Sequence, residues 1–198
     1  MPQNKRTAIV YVDGLSLFYR KLKGKNHLKW LDLETLVSKI YPDFEIIKIK
    51  YFTAIAKQIN GDLEIGIRQS LYLRALKNQS KNLEICKGYI RIDNVRLPKA
   101  PKERDKFGNL ILSRVYRFEE KETDVRIAMA ISIDSTKEFA EMFILISGDK
   151  DFEPLRELFD NRPDSFQILA PQNIPEKLLL TSQLKDGPES TKPRDWLT

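Results

Sequence analysis

The fold class of this chain is decided by the stretch Phe143-Ile144-Leu145-Ile146-Ser147-Gly148-Asp149-Lys150-Asp151. Its first four residues are continuously apolar, which is typical of a strand buried on both faces of a parallel sheet. The apolar run ends abruptly in Ser147-Gly148, and two aspartates follow one residue apart. In open α/β sheets ligands bind at the carboxyl ends of the strands, and two carboxylates there repel unless a cation or proton lies between them. The stretch therefore predicts an acidic site at the edge of a buried sheet.

The first apolar run of the chain ends in the same way, since Ala8-Ile9-Val10-Tyr11-Val12 precedes Asp13-Gly14. Between these two runs, segments with strand and helix patterns alternate. We predict strands at residues 7–12, 44–53, 83–86, 143–146 and 166–169. We predict helices at residues 15–22, 61–78 and 122–133, and one that begins after Asp32 as its N-cap. This alternation predicts an α/β fold with a Rossmann-like, mainly parallel sheet covered by helices on both faces.

The helix predicted at residues 122–133 is amphipathic. Its expected packing side carries Val125, Ala128, Met129 and Ser132, which recur at helical spacing. We expect this side to face the sheet.

A basic segment at residues 88–118 interrupts the alternation. Two alternating runs, 89–92 and 110–112, flank a proline-containing stretch with a turn signal at Asp105-Lys106-Phe107-Gly108-Asn109. We predict a basic β-hairpin insertion. Two interpretations of this hairpin are equally compatible with the sequence. The hairpin could be a surface that follows phosphates and stacks bases, or it could be an ordinary solvated hairpin whose rings pack inward. Its cations and rings are Arg91, Arg96, Lys99, Lys102, Arg104, Lys106, Arg114 and Arg117, with Tyr89, Phe107 and Tyr116.

Length and composition predict one domain at residues 1–185, followed by a flexible tail at residues 186–198. The chain has 198 residues, of which 41% are hydrophobic, a net charge of +6 and a pI near 9.3. This charge suits a polyanionic partner. No apolar run approaches the roughly 18 residues of a membrane span, and residues 1–6 do not resemble a signal peptide, so a cytoplasmic protein without a membrane partner is expected. The lone Cys86 excludes disulfides and cysteine-rich zinc sites.

Each acidic residue also has a purely structural explanation. Asp124 would be favourable in the first turn of a helix, Asp151 could cap the helix that follows it, and Asp13-Gly14 could be a plain turn. Together they are harder to explain in this way, because parallel topology can bring two strand ends and a helix start side by side. The hard cations Mg²⁺ and Mn²⁺ are the natural balance for such carboxylates.

Three motifs carry a resemblance to a known family. They are YVDGLSLFY at residues 11–19, ETDVRIAMAISID at 122–134 and LISGDKDFEPL at 145–155. In order and spacing they resemble the NYN domains, the LabA-like branch of the PIN-like nuclease superfamily, over roughly residues 7–182. The resemblance implies a PIN-like, Rossmann-like sheet whose acidic cluster binds Mg²⁺ or Mn²⁺ and hydrolyses RNA.

By this resemblance the catalytic residues are Asp13, Asp124, Asp149 and Asp151. One or two Mg²⁺ or Mn²⁺ ions held by Asp13, Asp124 and Asp149 would polarise the scissile phosphate and activate a water. For Asp151 the roles of direct ligand, outer-shell ligand and orienter of the attacking water all stay open.

The first motif departs from the family pattern at Ser16. The family usually has an asparagine there, whose amide can hold the metal shell or substrate, and a hydroxyl has a shorter reach. Ser147 matches the small hydroxyl residue beside the acidic pair. The expected substrate contacts are Ser16, Ser147, Lys121, Arg68 and Arg117.

The expected function is therefore that of a metal-dependent endonuclease acting on single-stranded or structured RNA. The main alternative is a non-catalytic RNA-binding or scaffold protein that keeps the fold and the acidic pocket. A phosphatase or nucleotide hydrolase that uses the same acids is a third class. A homodimer formed through apolar residues of the hairpin or of the helix at residues 174–180 is also possible on this sequence.

Overall fold

The structure is a computed structural model, and it describes residues 5–57, 64–98 and 102–184. Its strands are β1 (Arg6–Asp13), β2 (Phe44–Ala54), β3 (Leu83–Pro98), β4 (Leu112–Lys121), β5 (Met142–Ile146) and β6 (Phe166–Leu169). They form one six-stranded sheet in the order β4-β3-β2-β1-β5-β6, in which β4 alone is antiparallel to its neighbour. The predicted Rossmann-like α/β fold with a mainly parallel sheet is confirmed.

Helices connect the parallel strands. The α-helices are α1 (Gly14–Leu17), α2 (Leu33–Ile40), α3 (Ile65–Gln79), α4 (Thr123–Thr136) and α5 (Glu176–Leu180). A π-helical turn at Phe18–Leu22 continues α1, and a 3₁₀-helical segment, Lys150–Phe159, follows β5. Shorter 3₁₀ turns lie at Asn26–Leu28, Pro163–Ser165 and Pro171–Asn173. The predicted cap at Asp32 is confirmed, since its carboxylate accepts from the backbone N–H groups of Glu34 and Thr35.

Apolar side chains pack against both faces of the sheet. Val10 and Val12 of β1 belong to a core cluster with residues of α2 and α3, whereas Tyr11 belongs to a second cluster with Ile127 and Ile131 of α4. Successive residues of a strand point to opposite faces, so β1 contributes to both clusters. The site described below lies where β1, β2 and β5 end.

The predicted packing side of α4 is wrong. Val125 is 63% exposed and Met129 is 56% exposed, while Ile127, Ile131 and Asp134 are buried. The helix carries apolar residues around most of its circumference, so spacing alone does not distinguish its two sides. The side that packs includes an acid because Tyr11 and Lys50 bind the Asp134 carboxylate, as discussed below.

The hairpin is present, but its predicted boundaries are wrong. Its first arm is the continuation of β3 through to Pro98, and its second arm is β4, which begins at Leu112, where the predicted second run ends. Residue 88 lies within β3, and it is a glycine because the backbone at the end of β4 passes close to it. A Cβ atom at Gly88 would lie 2.6 Å from the Lys121 carbonyl oxygen and 2.5 Å from Thr123 Oγ1. The glycine therefore marks a close backbone approach and not a strand end.

The turn predicted at the hairpin tip is confirmed. The Asp105 carboxylate accepts from the backbone N–H groups of Phe107 and Asn109 at 2.8 and 2.9 Å, and Gly108 has a φ of +86°. The purely structural alternative for Asp151, a helix cap, is wrong, because Asp149 is the N-cap of the 3₁₀ segment and accepts from the Asp151 N–H at 3.0 Å.

Some expectations fall outside the described residues. These are the tail at residues 186–198, the first residues of the helix predicted at 61–78, and Lys99. Among the helices of the described ranges, none combines the length and apolarity needed to cross a bilayer.

Candidate active site

Asp13 is the central residue of the candidate site. It ends β1 between the ends of β2 and β5, and it is only 5% exposed. Its Oδ1 accepts from the Ser16 backbone N–H at 2.9 Å, and its Oδ2 accepts from the Ser147 hydroxyl at 2.7 Å. Burial raises the pKa of Asp13, and the nearby Asp149 adds to the rise, while the two hydrogen bonds oppose it. The carboxylate is thus held rigidly in an environment that disfavours its own charge.

Two serines join the ends of β1 and β5. Ser147 donates to Asp13 and accepts from the Asp149 backbone N–H at 3.1 Å. Ser16 accepts from the Gly148 backbone N–H at 2.9 Å. The Ser16 hydroxyl therefore connects the start of α1 to the loop after β5. Both serines were expected to contact substrate, and the structure places both within the scaffold of the site.

Four further carboxylates act on the same region. Asp124 is exposed in the first turn of α4, and partial desolvation raises its pKa, with further increases from Asp13, Asp149 and Asp151. The four aspartates expected to be catalytic are therefore close enough to influence one another.

Glu122, which precedes α4, has a φ of 72°, a left-handed conformation that is uncommon for this residue type. The turn that places Asp124 beside the sheet edge is thus locally strained.

Glu120 is a member of this cluster that the sequence did not indicate. It lies near the end of β4, its carboxylate accepts from Thr123 Oγ1 at 2.8 Å, and burial raises its pKa, followed by smaller increases from Asp13 and Asp124. In the sequence it stands among other charged residues and belongs to no motif. Only the pairing of β4 with β3 carries it to the ends of the parallel strands.

Arg20 is a second such residue. Its side chain lies against Gly148, where an added Cβ would come within 2.4 Å of Nε. The glycine at position 148 leaves space for this arginine to cover the loop that presents Asp149. An exposed guanidinium beside an acidic cluster is suited to binding a phosphate group.

The remaining predicted substrate contacts form ion pairs with glutamates. Lys121 and Arg117 each form an ion pair with Glu119 at 2.5 Å. Arg68 lies on α3 and contacts Glu64 at 3.6 Å. Their contact with a substrate stays a prediction.

The oxygen atoms of the candidate site are of the chemical type that a hard divalent cation prefers as ligands. All the candidate ligands are carboxylates, and their mutual repulsion leaves negative charge that a cation would offset. Within the described ranges, no three acidic, imidazole or thiol groups converge closely enough to hold an ion between them. Mg²⁺ commonly keeps several waters and uses only one or two protein carboxylates together with substrate phosphates. Asp13 and Asp149 therefore fit a largely hydrated ion and not a closed cage of carboxylates.

The raised pKa of Asp13 makes a prediction about stability in the absence of metal. Because folding raises this pKa, the folded state binds more protons than the unfolded state between about pH 4 and the raised value. The protonated Asp13 therefore makes a contribution to the free energy of unfolding that is fully present below about pH 4. This contribution is lost as the pH rises through the raised pKa. Asp13→Asn should therefore become more stable, relative to the parent protein, as the pH increases.

Urea unfolding in chelator at several pH values measures this difference. Asp43→Asn, which changes an exposed carboxylate at the opposite end of β2, is the matched control. A stability difference between Asp13→Asn and the parent protein that stays constant with pH would contradict the desolvated environment of Asp13.

Comparisons with known proteins identify similar chains. No protein-family model matches the chain. The 6-hydroxy-3-succinoylpyridine 3-monooxygenase HspA of Pseudomonas putida is 25% identical over 181 residues, covering 78% of this chain and 56% of that protein. The chain thus spans about half the length of this relative. A crystal structure of a protein of unknown function from Vibrio parahaemolyticus has a TM-score of 0.52 and 17% identity, covering 92% of this chain and 93% of that one, which shows a shared fold.

Proposed function

We propose that this chain is a metal-dependent endonuclease of the NYN type that hydrolyses RNA phosphodiester bonds. The observation that carries the proposal is the environment of Asp13, a buried carboxylate at the carboxyl edge of a parallel sheet whose pKa is raised by burial and by a neighbouring acid. Such perturbed groups in a cluster at this edge are typical of functional sites. The three motifs that resemble NYN domains supply Asp13, Asp124 and the Asp149-Lys150-Asp151 segment to this one edge.

The residues of the chain have distinct parts in this proposal. Asp13 and Asp149, from the adjacent strands β1 and β5, would hold a divalent cation. When bound, Mg²⁺ or Mn²⁺ supplies polarisation of the scissile phosphate and a lowered pKa for a water molecule. Asp124, exposed and with a raised pKa, is suited to accept the proton of the attacking water. Arg20, at the loop of Gly148, would bind a phosphate oxygen beside the scissile bond.

The charge of the chain supports a nucleic acid as the substrate. A net charge of +6 with an acidic cluster at one edge means that positive charge predominates elsewhere on the protein. A polyanion attracted to that surface would bring its phosphates to the cluster.

The test is cleavage of single-stranded RNA by the purified protein with Mn²⁺, in parallel with single-stranded DNA of the same sequence and with a chelator. We expect RNA fragments with Mn²⁺ and none with chelator. Crystals soaked in Mn²⁺ should show anomalous density beside Asp13 and Asp149. Intact RNA together with no anomalous density would contradict the proposal.

A non-catalytic RNA-binding or scaffold protein is the second candidate. It is favoured by the lack, among the described residues, of three groups that converge on one ion, and by the use of Ser16 in bonding Gly148. In that case the protein would bind RNA in chelator and leave it intact when Mn²⁺ is added. The cleavage assay therefore separates the two candidates directly.

The name of the Pseudomonas putida relative suggests an oxidative activity. Non-haem iron oxygenases typically bind their metal with two imidazoles and one carboxylate, whereas this cluster offers only carboxylates. His27 is the one histidine of the sequence, and its Nε2 lies 4.0 Å from Glu176. We therefore favour hydrolysis. Oxygen uptake with 6-hydroxy-3-succinoylpyridine and a reductant checks the oxidative alternative.

A further inference from the structure

The two faces of the hairpin formed by β3 and β4 differ in how their cations are paired. Directly opposite residues of the two strands share a face. On one face Arg96 lies opposite Arg114, and Asn94 lies opposite Tyr116. This face, which we call the arginine face, continues along β4 to Glu120 of the acidic cluster. Positive charge at its outer part therefore leads towards the candidate active site.

The cations on the opposite face of the hairpin all have carboxylate partners. Arg91 Nε bonds Asp93 at 2.7 Å, while Arg117 and Lys121 each lie 2.5 Å from Glu119. The three cations outnumber the two carboxylates, but each cation has a carboxylate partner within the hairpin. An external anion would therefore have to compete with these ion pairs.

The two arginines of the arginine face have no such partners. Arg96 and Arg114 are both exposed, and no carboxylate of the described residues lies within ion-pair distance of either one. Like charges directly opposite each other destabilise an antiparallel strand pair. Cations can protect edge strands from pairing with other chains, but the opposite face already supplies cations to these two strands. The two arginines are therefore available to bind an anion supplied by a partner.

Exposed rings accompany these arginines. Tyr116, adjacent on the same face, is 70% exposed, and Phe107 at the hairpin tip is 76% exposed. The alternative of inward-packed rings is therefore wrong for both residues. Cations that follow a backbone together with rings on which bases stack are the combination found in proteins that bind single-stranded nucleic acids. The tip adds exposed cations at Lys102, Arg104 and Lys106.

We propose that the arginine face binds single-stranded RNA and directs it to the acidic cluster. Arg96 and Arg114 would contact phosphates, and a base would stack on Tyr116. The six residue-to-residue steps from Arg114 to Glu120 span about 20 Å along the strand, so the bound RNA would extend well beyond the scissile bond. As a path to the active site this inference rests on the proposed nuclease function, whereas RNA binding by the face is independent of it.

The test measures binding in chelator, so that cleavage plays no part. Fluorescence anisotropy of a labelled oligouridine gives the Kd over a range of salt concentrations. For Arg96→Gln/Arg114→Gln we expect binding about tenfold weaker and a salt-dependence slope lower by about 1.4, because two phosphate contacts on a single strand are lost. Lys77→Gln/Lys81→Gln is the matched control, because it removes the same charge from exposed positions at the other end of β3.

A second pair of variants tests the ring without changing charge. Tyr116→Ala should weaken binding about tenfold, whereas Tyr116→Phe, which keeps the ring, should bind like the parent protein. These side chains are exposed, and circular dichroism confirms that each variant is folded.

The outcomes distinguish this inference from the nuclease proposal. If Arg96→Gln/Arg114→Gln weakens binding but the parent protein cleaves no RNA, the face binds RNA and the nuclease proposal fails. If the parent protein cleaves RNA and its variants bind as tightly as the control, the inference about the face is overturned. Unchanged binding with a change from dimer to monomer in sedimentation would also overturn it, because the face would then join two copies of this chain.

Discussion

Asp149→Asn is expected to abolish Mn²⁺-dependent cleavage of single-stranded RNA while leaving the protein folded. A carboxylate that holds the cation contributes several kcal/mol to the transition state, and a loss of about 4 kcal/mol lowers the rate about 10³-fold. The fold should survive because asparagine caps helices about as well as aspartate. Its side-chain oxygen can still accept from the Asp151 N–H, as Asp149 Oδ1 does at 3.0 Å.

Single-turnover cleavage of labelled RNA measures this effect, and thermal unfolding checks the fold. Asp160→Asn is the control, because it removes an exposed carboxylate at the far end of the same 3₁₀ segment. Its cleavage rate should match that of the parent protein. Cleavage by Asp149→Asn at the parent rate would show that the cluster is not the active site.

Asp134→Ala is expected to lower the free energy of unfolding by about 4 kcal/mol, the cost of leaving a buried charge without its partner. Asp134 Oδ2 accepts from the Tyr11 hydroxyl at 2.7 Å and from Lys50 Nζ at 2.6 Å. The Lys50 and Asp134 side chains are only 12% and 6% exposed. Burial and the bond to Asp134 raise the pKa of Tyr11, so its hydroxyl stays a donor. Removing this carboxylate leaves both donors unsatisfied.

A double variant separates the broken pair from simple loss of packing. Lys50→Met/Asp134→Leu should recover part of the lost stability, because apolar residues of similar volume often replace a buried ion pair at little cost, although the Tyr11 hydroxyl still loses its acceptor. Urea unfolding of the parent protein, Lys50→Met, Asp134→Leu and the double variant gives the coupling energy. If the double variant is as unstable as the sum of the single variants, the network does not act as a unit.

The strands of the parallel sheet were predictable because of their local composition. Residues 8–12 and 143–146 are continuously apolar, and each run is followed closely by a glycine and an aspartate, which indicated a buried strand and its carboxyl edge. Given parallel topology, the meeting of Asp13 with the Asp149 segment followed. Asp124 was also predictable, because its helix start lies within one of the three motifs.

Features that depend on how elements pack were not predictable. The packing side of α4 was wrong because the buried side contains Asp134, an acid that only Tyr11 and Lys50 make tolerable in a core. The hairpin boundaries were wrong because Gly88, within β3, had the pattern of a strand end. Glu120 and Arg20 belong to no motif, and only strand pairing and loop contacts bring them to the site.

The sequence by itself determined the α/β class, the positions of the parallel strands along the chain and the aspartates that follow two of these strands. These features depend on periodicity and on residues that are adjacent in the chain. The tertiary structure decided which cations have carboxylate partners. Arg117 and Lys121 lie on a face with Glu119, whereas Arg96 and Arg114 lie opposite each other and form no ion pair with a carboxylate of the described residues. Ion pairing acts over a few ångströms in space, and strand register sets those distances between residues that are far apart in the sequence.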